Sequence, residues 1–286
     1  MAIKRRVGNT SSQRVIHSSN SMTHQPTALI FDSGVGGLSV YQEIRRWSPD
    51  LHFIYAFDNA FFPYGEKEEH LIVERVVKIV DLIQEKHPLD IVVIACNTAS
   101  TVSLPALRER FNFPVVGVVP AIKPAAQQTH NGVIGLLATN ATVNRTYTHD
   151  LIDHFAAECS VQLLGSSRLV EIAEGKLHGD AVDKEELKAI LAPWTEMETP
   201  PDTIVLGCTH FPLLRDELSS VLPPNTVLVD SGDAVARRVA SLLGQSSWDE
   251  REKINQAYCT KLDKDAGDLL PALVDNGFDS LQTLTV

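Results

Sequence analysis

Two cysteines carry the strongest chemical signal in the chain: Cys96 in Ala95-Cys96-Asn97-Thr98-Ala99-Ser100, and Cys208 in Gly207-Cys208-Thr209-His210-Phe211-Pro212. Each follows an Asp (Asp90, Asp202) and a short apolar run, and each precedes small polar residues and a segment bearing Pro, Leu and Arg. Such a run is the signature of a strand buried on both faces of a parallel sheet. Both thiols then stand at the carboxyl ends of strands, where open α/β sheets place ligands. Each also precedes a helix N-terminus, a placement that lowers a thiol pKa from about 8.5 toward neutrality.

A matched pair of thiols suits one kind of reaction. Inverting a carbon centre by proton transfer needs a base on one face and an acid on the other. One cysteine acts as thiolate and its twin as thiol, with the roles exchanged for the opposite enantiomer, and transfer is efficient when both pKa values lie near ambient pH. Asp32 and His210, each near a strand end, are placed to tune or orient the thiols. Acyl transfer through one Cys–His pair leaves the second cysteine unexplained. A metal at Cys208-Thr209-His210 lacks any C-x-x-C or H-x-x-x-H partner. Gly34-Val35-Gly36-Gly37 is similar to a dinucleotide turn, with Asp58 where a ribose-binding acid would sit, but the third glycine of the fingerprint falls on Ser39. The turn reads instead as a tight connection whose helix N-terminus holds an anion. Cys159 and Cys259 read as inert packing.

The elements that position these groups follow a repeated plan. Strands are expected at 28–31, 53–58, before Cys96 and at 114–120, with helices at 38–47, 71–86 and 103–111. Near residue 123 the series restarts. Strands fall at 132–138, 161–165, before Cys208 and at 227–230; helices fall at 147–157 and 184–191, and 169–174 reads as loop or helix. Asp32 and Thr139 are separated by nearly the same interval as Cys96 and Cys208, which argues for duplication of a βαβαβα unit. Beyond Asp230 the chain is expected to end in helices, at 233–243 and 268–276, that pack back on the first half. The expected fold is α/β: two pseudo-symmetric doubly wound lobes with mainly parallel sheets. Residues 1–26 form a mobile tail, 27–122 and 233–286 the first lobe, and 123–232 the second. Right-handed crossovers put Asp32, Cys96, Thr139 and Cys208 on the carboxyl edges. Two lobes facing across those edges enclose a cleft with one cysteine on each wall.

Composition narrows the function classes. The 286 residues carry a formal charge of −11, opposite to the Lys/Arg excess a nucleic-acid surface needs. No apolar run approaches the ~18 to 20 residues of a membrane span. Four widely spaced cysteines are no disulfide scaffold, and without a secretory apolar region the thiols are expected to be reduced and cytoplasmic. The first residues hold Lys4, Arg5, Arg6 and Arg14 and no acid before Asp32, as a transit peptide or a solvated tail would.

Taken together, Asp32-Ser33-Gly34-Val35-Gly36-Gly37, Pro63-Tyr64-Gly65, Ala95 to Ser100, Ala138-Thr139 with Thr142, and Gly207 to Pro212 resemble the cofactor-independent glutamate racemases of the aspartate/glutamate racemase group. The resemblance implies that no cofactor or metal is needed, and that Cys96 abstracts the α-proton from one glutamate enantiomer and Cys208 from the other. It implies that Asp32, His210 and Glu174 assist, with Glu171 three residues from the last. Substrate is held by Asp32, Ser33, Tyr64, Gly65, Asn97, Thr98, Thr139, Thr142, Thr209 and His210. These motifs contain no Arg or Lys, so hydroxyls, amides and helix N-termini would meet the carboxylates. The D-glutamate made by this family feeds peptidoglycan synthesis. The N-terminal extension and residues 116–123 resemble the proteobacterial subgroup, some members of which use UDP-N-acetylmuramoyl-L-alanine as activator. By that likeness Arg108, Gly117, Val118, Val119, Pro120, Ala121, Ile122 and Lys123 would bind it near the hinge, in a monomer or a homodimer. The alternatives are a racemase for aspartate or another acidic amino acid, and a non-catalytic two-lobed binding protein.

Overall fold

The computed structural model describes residues 24–244 and 253–286. Its strands are β1 (Thr27–Asp32), β2 (His52–Phe57), β3 (Ile91–Ile94), β4 (Val115–Gly117), β5 (Val133–Ala138), β6 (Ser160–Gly165), β7 (Thr203–Leu206), β8 (Val227–Val229), β9 (Gln256–Cys259) and β10 (Leu281–Thr283). They form two sheets, ordered β10-β9-β2-β1-β3-β4 and β6-β5-β7-β8, and every pairing is parallel. The order β2-β1-β3-β4 is the order β6-β5-β7-β8 over again, so the repeat seen in the spacing is a repeat of topology.

Parallel strands covered on both faces need apolar residues on both sides, and β1 supplies them. Ala28 and Ile30 join one core, with Leu38, Tyr41 and Ile44 of the helix Leu38–Trp47 and Val235, Ala236, Val239 and Leu243 of the helix Gly232–Leu243. Leu29 and Phe31 join the other, with Ile72, Val76, Ile79, Val80 and Ile83 of the helix Glu69–Lys86. The register then fixes the site. Phe31 lies opposite Ile94 and Leu137 opposite Leu206, so Asp32 and Cys96 leave one sheet side by side, as Thr139 and Cys208 leave the other.

Two expectations of secondary structure change. The chain does not end in helices alone: β9 adds to β2 and β10 to β9, with two short helices (Lys264–Asp268, Leu270–Asp275) between them. At four and three residues these strands are too short to show a period. The helix after Cys96 begins at Asn97, not near 103, because the polar run Asn-Thr-Ala-Ser-Thr hides its first turns. Of the two readings left open for residues 169–174, loop or helix, the structure shows the helix, Arg168–Leu177. Of the stretch read as a tail, residues 1–23 lie outside the described residues. Gln25 is already buried and donates to the Asp50 carbonyl, and His24 lies 3.2 Å from the Asp90 carboxylate. The chain crosses from the first sheet to the second just after β4, and the Ser231 hydroxyl on the return donates to the Val119 carbonyl.

Candidate active site

On the first sheet, Asp32 closes β1 and turns its carboxylate into the following loop. Oδ1 accepts from the Ser33 amide at 2.8 Å and Oδ2 from the Gly37 amide at 2.7 Å. A Cβ on Gly37 would stand 2.9 Å from both Asp32 Cβ and the Tyr55 hydroxyl, so only glycine allows the turn to fold back this closely. Burial pushes the Asp32 carboxyl up to about 6, against the opposing pull of His210 and the two amides.

Cys96 is the N-cap of the helix Asn97–Arg110. Its Sγ accepts from the Ala99 amide at 3.4 Å and lies 3.6 Å from the Ser33 hydroxyl. The helix N-terminus does not bring this thiol toward neutrality as expected. Burial first and the Asp32 charge second push it up to about 12, outweighing the Ala99 amide and Ser33.

On the second sheet, Cys208 stands just past β7, half-buried, with Sγ 3.7 Å from His210 Nδ1. The other ring nitrogen, Nε2, lies 2.9 Å from Glu174 Oε1, on the helix Arg168–Leu177. Burial alone would lower the pKa of His210. The hydrogen bonds to Cys208 and Glu174, together with their charges, raise it well above the usual range. An imidazolium therefore links the second thiol to a carboxylate. Glu171, one turn away, instead pairs with Arg168 at 2.7 Å.

A cavity of about 420 Å³ lies between the two sheet edges. Asp32, Ser33, Tyr64, Gly65, Cys96, Asn97, Thr98, Thr139, Thr142, Cys208, Thr209 and His210 all line it, as does Glu171, while Glu174 stands behind His210. Thr139 donates to the Thr142 hydroxyl at 3.1 Å. Asn97 Oδ1 is buried with no hydrogen-bond partner among the described residues, an acceptor that a ligand's ammonium could satisfy. Tyr64 lines the cavity but spends its hydroxyl on Asp58 at 2.7 Å. Asp58, fully buried, also accepts from Arg75 at 2.6 and 2.7 Å and from Thr260 at 2.7 Å, so it has no oxygen left for a ribose. Sequence reasoning missed Arg75 and Thr260, which lie far from every motif.

The residues expected to hold an activator are dispersed. Arg108 and Gly117 line a cavity of about 710 Å³ with Phe111, Phe113 and Arg238, and Val118 lines a different one. Pro120, Ala121 and Ile122 are buried, Val119 is exposed, and Lys123 sits 5.6 Å from the Phe155 ring. The cause is the crossing itself: the strand that leaves the first sheet enters the core of the second, and its side chains part to opposite sides.

The sequence pattern of the Asp/Glu/Hydantoin racemase family matches residues 32–239, from the Asp32 turn through both cysteines. The chain belongs to this family. Among its members, the glutamate racemase of Serratia proteamaculans is 63% identical over 279 residues, covering 97% of each chain. The crystal structure of Escherichia coli glutamate racemase, in complex with L-glutamate and the activator UDP-MurNAc-Ala, superposes with a TM-score of 0.88 at 61% identity, over 91% of this chain and 98% of that one. Glutamate racemase isoform RacE1 of Bacillus anthracis is similar at 26% identity and a TM-score of 0.77, over 92% and 98%. The two-lobed racemase architecture accounts for the paired sheets, and the family's range of substrates leaves the side chain to be read from the cavity and these similar proteins.

Proposed function

We propose that the chain interconverts L- and D-glutamate without a cofactor, by proton transfer at the α-carbon between two cysteines. The observation that carries this reading is a single cavity bounded by Cys96 on one sheet edge and Cys208 on the other. High identity to glutamate racemases over nearly the whole chain supports glutamate as the substrate. One thiolate removes the α-proton, leaving a carbanion delocalised onto the substrate carboxylate. The thiol on the opposite wall delivers its proton to the other face. The reverse reaction exchanges the roles.

A Cys96 thiol raised to about 12 is protonated at neutral pH. An ammonium bound beside Asp32 and Asn97 would offset the negative neighbour and draw the thiol toward its anion. On the other wall His210 stands 3.7 Å from the Cys208 sulfur and Glu174 holds the ring in place. Among the described residues no helix is long and apolar enough to cross a membrane. A cytoplasmic enzyme supplying D-glutamate to peptidoglycan synthesis fits that and the reduced cysteines.

Circular dichroism of L-glutamate in D2O, without added cofactor, tests the reading. Loss of optical activity with deuterium at the α-carbon is expected, and L-aspartate should give a rate at least about tenfold lower. Racemisation of aspartate alone would transfer the chemistry to that substrate, and silence with both, despite a thermal shift, would indicate a binding protein.

The activator named with the Escherichia coli structure motivates a second reading, that UDP-MurNAc-Ala acts on this chain near the hinge. The 710 Å³ cavity suits a nucleotide: Arg108 and Arg238 offer cations, and the Phe111 and Phe113 rings stack at 5.0 Å beside them. Titrating the nucleotide against the racemisation rate checks this, and an unchanged kcat/KM at saturation removes it.

A further inference from the structure

Ser39 is the residue at which the G-x-G-x-x-G pattern breaks, and it is buried at the first turn of the helix Leu38–Trp47. Its hydroxyl lies 2.7 Å from the carbonyl oxygen of Thr209 on the second lobe and 2.9 Å from that of Gly36 in its own turn. One hydroxyl carries one proton, and the shorter contact takes it. Thr209 is the residue between Cys208 and His210, and its own hydroxyl reaches back to Asp32 at 3.4 Å. The two turns touch closely here, since a Cβ on Gly36 would lie 2.4 Å from His210 Nδ1.

We propose that Ser39 is a positioning residue, latching the Cys208-Thr209-His210 turn to the first lobe through its hydrogen bond to the Thr209 carbonyl. The inference rests on the two-cysteine reading and adds a residue that touches neither thiol. Gly36 makes the latch reversible. When the lobes part, the hydroxyl turns to the Gly36 carbonyl, so opening leaves no buried donor without an acceptor. Ser39 also lines a second cavity of about 670 Å³, together with Asn97, Cys208 and Thr209. The latch therefore stands beside Cys208 in the wall of that cavity, where it governs both the aim of Cys208 and its enclosure.

The test compares Ser39→Ala with Ser39→Thr in the full-length protein. Racemisation is followed, and separately the iodoacetamide alkylation of Cys208 and Cys96 is followed by peptide mass spectrometry. Ser39→Ala is expected to lower kcat by about tenfold, as small misplacements in active sites do, and to change the Cys208-to-Cys96 alkylation ratio at least about threefold. Ser39→Thr keeps the hydroxyl and should hold both within about twofold of wild type. A wild-type kcat and ratio in Ser39→Ala overturns the proposal, as do equal losses in the Ala and Thr variants, which would assign the effect to packing. If Ser39→Ala does not fold, the isosteric pair Ser39→Thr and Ser39→Val makes the same comparison. The alkylation ratio needs no turnover, so the latch fails or stands independently of the substrate.

Discussion

The two thiols reach the same cavity from unlike surroundings. Cys96 is sealed against its helix beside an anion, while Cys208 is half-buried beside a cation held by Glu174. A two-base scheme predicts that Cys96→Ala and Cys208→Ala each lose racemisation by about 10²–10⁴, the usual worth of a general acid or base. Each should keep α-proton exchange on the face its remaining thiol serves. Proton NMR in D2O with each enantiomer checks this, and equal residual racemisation in single and double variants would refute it. Asp32 gives a pH prediction with two signs. Its carboxyl is raised from 3.8 to about 6, so the folded chain holds that proton more tightly than the unfolded one. Its contribution to stability is therefore fully favourable below the unfolded value and falls as pH rises through about 6, by on the order of 3 kcal/mol. Activity runs the other way, because the anion that receives an ammonium exists only above about 6. Denaturation of Asp32→Asn should show the variant gaining on wild type between pH 4 and 6, while the wild-type kcat/KM falls below pH 6. A flat stability difference across that range would contradict it.

At the scale of elements, the site is made by two turns that interlock. Gly36→Ala places a Cβ 2.4 Å from His210 Nδ1, a distance no real contact sustains. His210 must move, and its ring bonds both Cys208 and Glu174. We expect kcat to fall by about 10²-fold and stability by about 1–3 kcal/mol, the range for an overpacked site. Steady-state kinetics and a thermal melt check the pair, and wild-type values in both would mean the turns have slack. These turns were legible in the sequence because their chemistry is local: an Asp, glycines and a cysteine at the end of an apolar run. The contacts between them were not. Nothing in the order of residues shows that Ser39 meets Thr209, or which of Glu171 and Glu174 reaches His210. The first turns of the helix after Cys96 were hidden for a related reason, since polar residues beside a cavity do not follow the apolar period that marks a helix.

For the whole molecule, duplication explains why four strand ends converge, and the repeat was visible in the spacing alone. The return of the chain's end to the first sheet was only half visible: a helix was expected, but β9 and β10 were too short to register. That return has a consequence for the site. Thr260, just after β9, donates to Asp58, which also accepts from Arg75 and from Tyr64 in the cavity-lining loop. One fully buried carboxylate thus ties the end of the chain, a helix and the loop into a single unit. Removing a partner from a buried ion pair typically costs about 3–5 kcal/mol, because the remaining charge is left unpaired. Arg75→Met should therefore lose stability on that order in urea denaturation. Thr260→Val removes a hydrogen bond to a charged group and should cost about 1.5–3 kcal/mol. It leaves the ion pair intact but loosens the Tyr64-Gly65 loop, so its KM for glutamate should rise while kcat changes less. If Arg75→Met proves as stable as wild type, the ion pair contributes nothing and the link from chain end to cavity is not electrostatic. If only Thr260→Val keeps a wild-type KM, the loop is fixed by Arg75 and Tyr64 without help from the far end of the chain.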